Sequence, residues 1–204
     1  MRGLLNADKA RFLSDNAFEI PDLVQIDKPF EPCKFIDFDV ASSCSDPANT
    51  GVHFYTNDYK IERFWANPDK YISMLSRFKY VVMPDFSLYF DFPQALQIFN
   101  KYRSHWLAAY CTLNNISVIP NISISTPNNY AWALQGYPKH SVVAFSDIGA
   151  RRDKLDYKLV QMQFEKMIEA LEPIQVLYFT RGKTAPAGAT IIRLPLFKGG
   201  EING

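Results

Sequence analysis

The chain has 204 residues, a length typical of one domain. Hydrophobic residues make up 48% and charged residues 21%, so the chain can bury an ordinary globular core. The formal net charge of +1 excludes the global basic field typical of nucleic-acid-binding proteins, although it leaves a local basic patch open. No apolar run approaches the roughly 18 residues that span a bilayer, and the first residues lack a continuous apolar signal segment. We therefore expect no membrane partner and a cytoplasmic location.

Cysteine usage also favours a reducing compartment. The three cysteines, Cys33, Cys44 and Cys111, are odd in number, and no two have C-x-x-C spacing. This pattern predicts neither a disulfide scaffold nor a zinc knuckle. We interpret them as small apolar side chains in a reducing cytoplasm.

The chain is expected to divide into three segments. Residues 1–33 carry several prolines and scattered apolar residues, which predicts an irregular arm that wraps onto the domain. Residues 34–196 are predicted to form the α/β domain, and residues 197–204 a loose tail.

Short apolar runs alternate with helical patterns along the middle of the chain. The predicted strands are 34–40, 52–55, 80–83, 116–123, 141–145, 174–180 and 190–194. The predicted helices begin near Asp58, Pro68, Asp91, Thr126 and Leu155. Strands that alternate with helices imply right-handed crossovers. The pattern therefore predicts a single α/β domain with a mostly parallel sheet of about six or seven strands, in a three-layer or half-barrel arrangement.

The long helix that follows the central strand shows an apolar stripe. Leu96, Trp106, Leu107 and Leu113 recur on it at helical intervals, so we expect this stripe to face the sheet. The basic residues between them are expected to form the exposed face; they are Lys101, Arg103 and His105.

Several stretches resemble one known family. They are VHFYTNDYKIERFWANPDKY, VVMPDFSLYFDFPQALQIFNKYRSHW, VIPNIS and SVVAFSDIG, with Pro84 to Tyr89 as the most specific part. Together they resemble the domain of unknown function 4417 family, over about His53 to Gly182. Ser123-Ile124 stands where the resemblance implies Arg-Trp. The resemblance implies an origin in phages or other mobile elements of bacteria, with host cytoplasm as the location if the chain is phage-encoded. It implies no mechanism.

Polar residues follow the predicted strands at the points where the strands end. They are Asp85 and Ser87, Asn121 and Ser123, Ser146 and Asp147, and Arg181 and Lys183. The carboxyl ends of parallel strands meet at one edge of a sheet, where α/β proteins bind ligands. We therefore predict that these residues form a ligand site. The alternative is that the aspartates only cap turns and helices.

Basic residues near this edge predict contacts to phosphate. Arg181 and Lys183 lie in the sequence RGKT, which lacks both the upstream glycine and the following helix of a phosphate-binding loop. They remain credible as individual phosphate contacts. Arg151, in the cluster Arg151-Arg152 and Lys154, could bind a nucleotide phosphate or a nucleic-acid backbone; the alternative is a solvated loop.

Asp85 is the candidate catalytic residue. A carboxylate at a half-buried strand end can have a shifted pKa and can transfer protons. His53, His105 and His140 lack the spacing of a zinc site. A Mg²⁺ ion held by Asp85 and Asp147 is an alternative without further support, so we predict no metal site, and the cofactor is left open.

Three functions are compatible with these residues. The leading hypothesis is a binding domain from a mobile element that recognises a phosphate-bearing nucleotide-type ligand. The second is an enzyme that acts on nucleotides or nucleic acid, with Asp85 as its catalytic carboxylate. The third is a protein–protein module that antagonises a host factor.

Overall fold

Parallel β-strands follow one another in space in the same order as in the chain. The computed structural model describes residues 5–12, 14–148, 154–182 and 185–195. Its strands are β1 (Lys34–Asp37), β2 (Thr50–His53), β3 (Tyr80–Val82), β4 (Val118–Ile119), β5 (Val142–Ser146), β6 (Gln175–Thr180) and β7 (Thr190–Arg193). Strands β1 to β4 form one parallel sheet and β5 to β7 another. A parallel bridge between Asn121 and Ala144 joins the two sheets.

Helices lie between the strands, as the alternating pattern predicted. They are α1 (Asp58–Ala66), α2 (Pro68–Leu75), α3 (Gln94–Leu113), α4 (Tyr130–Ala133) and α5 (Lys154–Leu171). Short 3₁₀ helices cover Phe38–Ser43, Pro47–Asn49 and Pro127–Asn129. The predicted α/β fold with a mostly parallel sheet is therefore confirmed.

Several predicted boundaries were wrong; β2 is Thr50–His53 rather than 52–55 and β4 is Val118–Ile119 rather than 116–123, and two other differences have a local cause. The first strand ends at Asp37 rather than Val40, because the Asp37 carboxylate accepts a hydrogen bond from the Asp39 N–H (2.8 Å) and starts a 3₁₀ helix. The long helix begins at Gln94 with Pro93 as its N-cap, rather than at Asp91. A residue that precedes proline is driven away from the helical region, so a helix cannot run smoothly from Asp91 through Phe92 into Pro93.

The sheet rolls up into an incomplete barrel. β1 and β6 are five places apart in the strand order, so a flat sheet would separate them by about 24 Å at roughly 4.8 Å per strand. The rings of Phe35 in β1 and Phe179 in β6 nevertheless meet edge to face, with centroids 4.9 Å apart. Gly51 makes room for this packing, since a Cβ there would lie 2.3 Å from the Phe35 ring. In the described ranges, β1 and β7 are the edge strands.

Two apolar clusters lie on the two faces of the rolled sheet. The inner cluster fills the barrel with side chains from β3 to β6 and the segments around them, among them Tyr55, Val82, Ile119, Leu177 and Phe179. The outer cluster packs the other face against the helices, with Trp106 and Leu107 fully buried. Both faces of the central strands are therefore largely buried, as is usual for parallel sheets, whereas the edge strands β1 and β7 are partly exposed.

The amino end of the barrel is closed by residues 20–33. Phe30 packs on Phe35 and Tyr80, with centroids 5.9 Å and 5.2 Å apart. Its backbone N–H donates to the Gln175 side chain (2.8 Å) at the start of β6. Nearby, the N–H of Val142 donates to the carbonyl of Ile26 (3.0 Å). This segment therefore covers the starts of several strands.

The polar face of α3 is buried, contrary to our expectation. Lys101, Arg103 and His105 are 1%, 8% and 0% exposed, whereas Leu96 and Leu113 of the predicted apolar stripe are 50% and 62% exposed. The reason is that the amino-terminal arm and the segment after α4 cover this face. The carbonyl of Pro21 lies 2.9 Å from His105 Nδ1, and the Tyr137 ring lies under Lys101 Nζ at 3.4 Å.

Gly136 allows this close approach because it has no Cβ, and its positive φ also favours glycine. Gly136 has φ +75°, and a Cβ there would lie 2.6 Å from the Pro21 carbonyl oxygen.

In the part of the chain that the structure describes, no helix combines the length and apolar character needed to cross a membrane.

Candidate functional site

A cleft of about 390 Å³ opens at the carboxyl ends of β3, β4 and β5. Five of the predicted site residues line it: Asp85, Ser87, Asn121, Ser123 and Ser146. Further lining residues come from the segments after β3, β4 and β5 and from α5, and they include Tyr89, Phe90, Ser125, Ile148 and Gln163. The structure thus brings these five strand-end residues together at one cleft, and their role in binding a ligand stays a prediction.

Asp85 reaches the cleft because the β3 ladder stops directly before it. The Met83 N–H still donates to the Ile119 carbonyl (2.9 Å), but Pro84 has no N–H to continue the ladder. The chain therefore leaves the sheet at Pro84 and places Asp85 at its edge, partly exposed to solvent.

A chain of hydrogen bonds leads from the barrel interior to Asp85. The buried Tyr55 hydroxyl donates to Asn121 Oδ1 (2.7 Å), and Asn121 Nδ2 donates to Ser123 Oγ (3.2 Å). Ser123 Oγ in turn donates to Asp85 Oδ1. Each group in the chain donates toward the carboxylate, so Oδ1 is held as an acceptor.

Tyr137 fixes the middle of this chain. Its hydroxyl donates to the Asn121 carbonyl (2.6 Å) and accepts from the Ser123 N–H (3.3 Å). The backbone on both sides of Ile122 is thus held in place. Burial raises the pKa of Tyr137 far above its usual range, so its hydroxyl stays protonated and can donate.

Asp85 has a pKa closer to neutrality than an ordinary aspartate. Burial raises the pKa of its carboxyl to about 6; the hydrogen bond from Ser123 opposes this rise, and the nearby Asp58 carboxylate adds to it. A carboxyl group with such a pKa changes its protonation state in a physiological range and can either donate or accept a proton.

The loop that follows Asp85 is held by polar contacts from α1 and α3. The Ser87 N–H and hydroxyl both donate to the Asp58 carboxylate, the hydroxyl at 2.9 Å. Asn100 Nδ2 donates to the Ser87 carbonyl (2.8 Å), and Arg103 donates to Asn100 Oδ1 (2.6 Å) and to Glu62 (2.5 Å). Ser87 therefore lines the cleft, but its hydroxyl donates its hydrogen bond to Asp58.

Arg181 and Asp147 lie at the same end of the barrel but do not line the cleft. Asp147 is buried, and its Oδ2 accepts from the hydroxyls of Tyr178 and Thr180, both at 3.0 Å. Arg181 is half-buried and donates to the Pro195 carbonyl (3.0 Å). Burial lowers the pKa of Arg181, while the charge of Asp37 raises it.

His53 is another titratable group whose pKa responds to Arg181. Burial lowers the pKa of His53 to about 3, and the charge of Arg181 contributes to the shift. This histidine is therefore neutral at physiological pH. The predicted contacts Arg151 and Lys183 lie outside the described residues.

Sequence reasoning missed several residues of this site. Tyr55 follows β2 by two positions, so the rule that selected Asp85 could also have found it. Tyr137 comes from the segment after α4, and no local pattern indicates that its hydroxyl bonds to the backbone of Asn121 and Ser123, after β4. Within the described residues, no group of three His, Cys, Asp or Glu side chains is placed to hold a metal ion.

Comparison with known proteins assigns the family. The sequence model of the domain of unknown function family DUF4417 matches residues 12–192. The chain belongs to this family. The resemblance noted from the sequence is thereby confirmed.

Two curated relatives of this DUF4417 protein come from phages. The chain is 32% identical over 170 residues to the "Gene 1 protein" of Mycobacterium phage L5. The matched region covers 82% of this chain and 73% of that protein. The chain is 30% identical over 174 residues to the "Gene 1 protein" of Mycobacterium phage D29, covering 83% of this chain and 63% of that protein. No solved structure matches the chain. The relatives support a phage protein family.

Proposed function

We propose that this phage-family protein binds a small ligand of nucleotide type in the cleft beside Asp85. The observation that carries the proposal is the cleft itself, which has a volume of about 390 Å³ and combines apolar walls with a carboxylate, several hydroxyls and two side-chain amides. Small-molecule sites typically have this size and this mixture, and in parallel α/β folds they lie at the carboxyl ends of the strands.

The polar groups suit the sugar and base of a nucleotide. Asp85 is held by Ser123 through Oδ1, so a ligand hydroxyl or N–H would be recognised through Oδ2. Ser146 and Gln163 offer further hydrogen bonds at the wall. The phosphate part of the proposal rests on the sequence, since Arg151 follows the cleft residue Ile148 by three positions.

Calorimetric titration with nucleotides and dinucleotide signals tests the proposal. We expect at least one of them to bind the parent protein, and Asp85→Asn to weaken that binding by about 1.5–3 kcal/mol, the scale of a charged hydrogen bond. Asp22→Asn is the matched control, because Asp22 is an exposed carboxylate outside the cleft. Absence of binding throughout the panel, or equal losses in both variants, would contradict the proposal.

A second function is favoured by the protonation of Asp85. A carboxyl group with a pKa of about 6 can act as a general base or acid near neutral pH, so the same cleft would suit an enzyme that acts on nucleotides or nucleic acid. Chromatography of nucleotides incubated with the protein separates the two functions. Turnover that Asp85→Asn abolishes while binding persists supports the enzyme; binding without turnover in the parent supports the binder.

A further inference from the structure

The rim of the cleft carries an aromatic surface that the proposed function does not yet use. Phe90 and Tyr89, both lining the cleft, are 71% and 52% exposed, and Phe92 is 38% exposed. The rings of Tyr89 and Phe92 lie 4.9 Å apart and support each other. Isolated exposed aromatics are ordinary, but here three of the four residues from Tyr89 to Phe92 are exposed aromatics, and two of them line the cleft.

One residue that lines the cleft, Ser125, has a buried hydroxyl without a hydrogen-bond partner among the described residues. Ser125 is 7% exposed, and its Oγ makes no hydrogen bond within the part of the chain that the structure describes. The backbone at this position is fixed, because Gln163 Nε2 donates to the Ser125 carbonyl (2.8 Å) across the cleft. A buried hydroxyl without a partner is costly, so a group that enters the cleft and bonds to it would remove that cost.

We propose that the ligand enters the cleft with a nucleobase first, its ring stacked on Phe90 and its polar edge bonded to Ser125 and Asp85. This inference rests on the proposed function and adds to it the orientation of the ligand and the group that is recognised. A planar base has an apolar face for an aromatic surface and a polar edge for the inner groups. The sugar and phosphates would then lie toward solvent.

The charges in the cleft support this orientation. Among the described residues that line it, none is Lys or Arg, and the acidic group is Asp85. A phosphate placed deep in the cleft would face this carboxylate without a compensating cation. A base edge can donate an N–H to Asp85, and it can donate to or accept from the hydroxyl of Ser125.

The test compares parts of a nucleotide by isothermal titration calorimetry. The probes are the four ribonucleosides, their 5′-monophosphates and ribose 5-phosphate. We expect at least one nucleoside to bind within about tenfold of its monophosphate, and ribose 5-phosphate to bind at least about tenfold more weakly, since stacking supplies much of the affinity. Ribose 5-phosphate that binds as tightly as the nucleotide would overturn the inference.

Two variants test the named contacts. Phe90→Ala should weaken nucleoside binding by about tenfold, and Ser125→Ala by about threefold to tenfold. Phe18→Ala is the control, because Phe18 is also an exposed phenylalanine, at 40%, and does not line the cleft. Unchanged nucleoside affinity in both cleft variants would overturn the inference.

The same titrations separate failure of this inference from failure of the proposed function. If nucleotides bind in a manner that depends on Asp85 but nucleosides do not, the proposed function stands and the base-first orientation is wrong. If neither nucleotides nor nucleosides bind the parent protein, both are overturned.

Discussion

The two ends of the barrel differ in their side chains: the amino end is buried and aromatic, whereas the carboxyl end is polar and partly open. At the amino end, Phe30 lies in a stack with Phe35 and Tyr80 and is 8% exposed. At the carboxyl end, Asp85 and Asn121 lie in a hydrogen-bond chain beside an open cleft, and Phe90 stands 71% exposed. In barrels of parallel strands, the amino end generally contributes stability and the carboxyl end carries the site. The difference predicts that substitutions at the two ends will have opposite consequences.

The largest expected effect is on stability at the amino end. Phe30→Ala removes a buried ring from the inner cluster and leaves a cavity between Phe35 and Tyr80. We expect the free energy of unfolding to fall by about 3–5 kcal/mol, as measured by urea titration. Ligand affinity in the folded fraction should not change. A loss below about 1 kcal/mol would mean that the arm does not close this end.

The second prediction concerns the buried polar face of α3, which supports the carboxyl end. Burial lowers the pKa of Lys101 well below its usual range, and its Nζ has no hydrogen-bond partner among the residues that the structure describes. Lys101→Met keeps an unbranched side chain only one atom shorter and removes the buried amine, so we expect the free energy of unfolding at pH 7 to rise by about 1–3 kcal/mol.

The control for this gain is Lys70→Met, at an exposed lysine on α2, which should change stability by less than about 0.5 kcal/mol. A loss of stability in Lys101→Met would show that the contact of Nζ with the Tyr137 ring outweighs the cost of burying the amine.

Local patterns explain which parts of this architecture could be predicted. Runs such as those of β3 and β6 are apolar on both faces, which indicates buried parallel strands whatever surrounds them. The buried face of helix α3 could not be predicted in the same way. Its burial depends on Pro21 and Tyr137, which are distant in sequence, so periodicity alone placed Lys101 on the wrong face.

The candidate site likewise has residues that strand order places and residues that long-range packing places. Asp85 and Ser123 lie three and four residues after the ends of β3 and β4, which are neighbours in the sheet, so topology brings them to the same edge. The curl of the sheet, set by Phe35 against Phe179, is a long-range packing effect, and it decides that Arg181 lies beside His53 and Asp37 rather than in the cleft.

A third, smaller effect depends on pH and belongs to the carboxyl end. The pKa of Asp85 is about 6 in the folded protein, against 3.8 for an ordinary aspartate. Between these two pH values the folded state holds a proton that the unfolded state has released. This group therefore makes stability fall as the pH rises from about 4 to about 6, after which its effect is constant.

Asp85→Asn removes this penalty. We expect it to match the parent near pH 3.5 and to exceed it by about 1–2 kcal/mol at pH 8, a figure reduced for the partial exposure of the carboxylate. Urea titrations of both proteins across this range measure the difference. The buried His53 and His105 are present in both, so their titration cancels. A difference that is independent of pH would contradict a raised pKa at Asp85.

The smallest expected effect on stability comes from the same substitution made at the other end of the barrel. Phe90→Ala removes a ring that is mostly in water, so the free energy of unfolding should change by less than about 0.5 kcal/mol. Since Phe30→Ala and Phe90→Ala delete the same atoms, their difference measures only where each ring lies. If ligand affinity falls in Phe90→Ala while stability is kept, and stability falls in Phe30→Ala while affinity is kept, the division between the two ends holds. A loss of more than about 2 kcal/mol in Phe90→Ala would instead mean that the aromatic rim packs as part of the core, and that the carboxyl end is not free to receive a ligand.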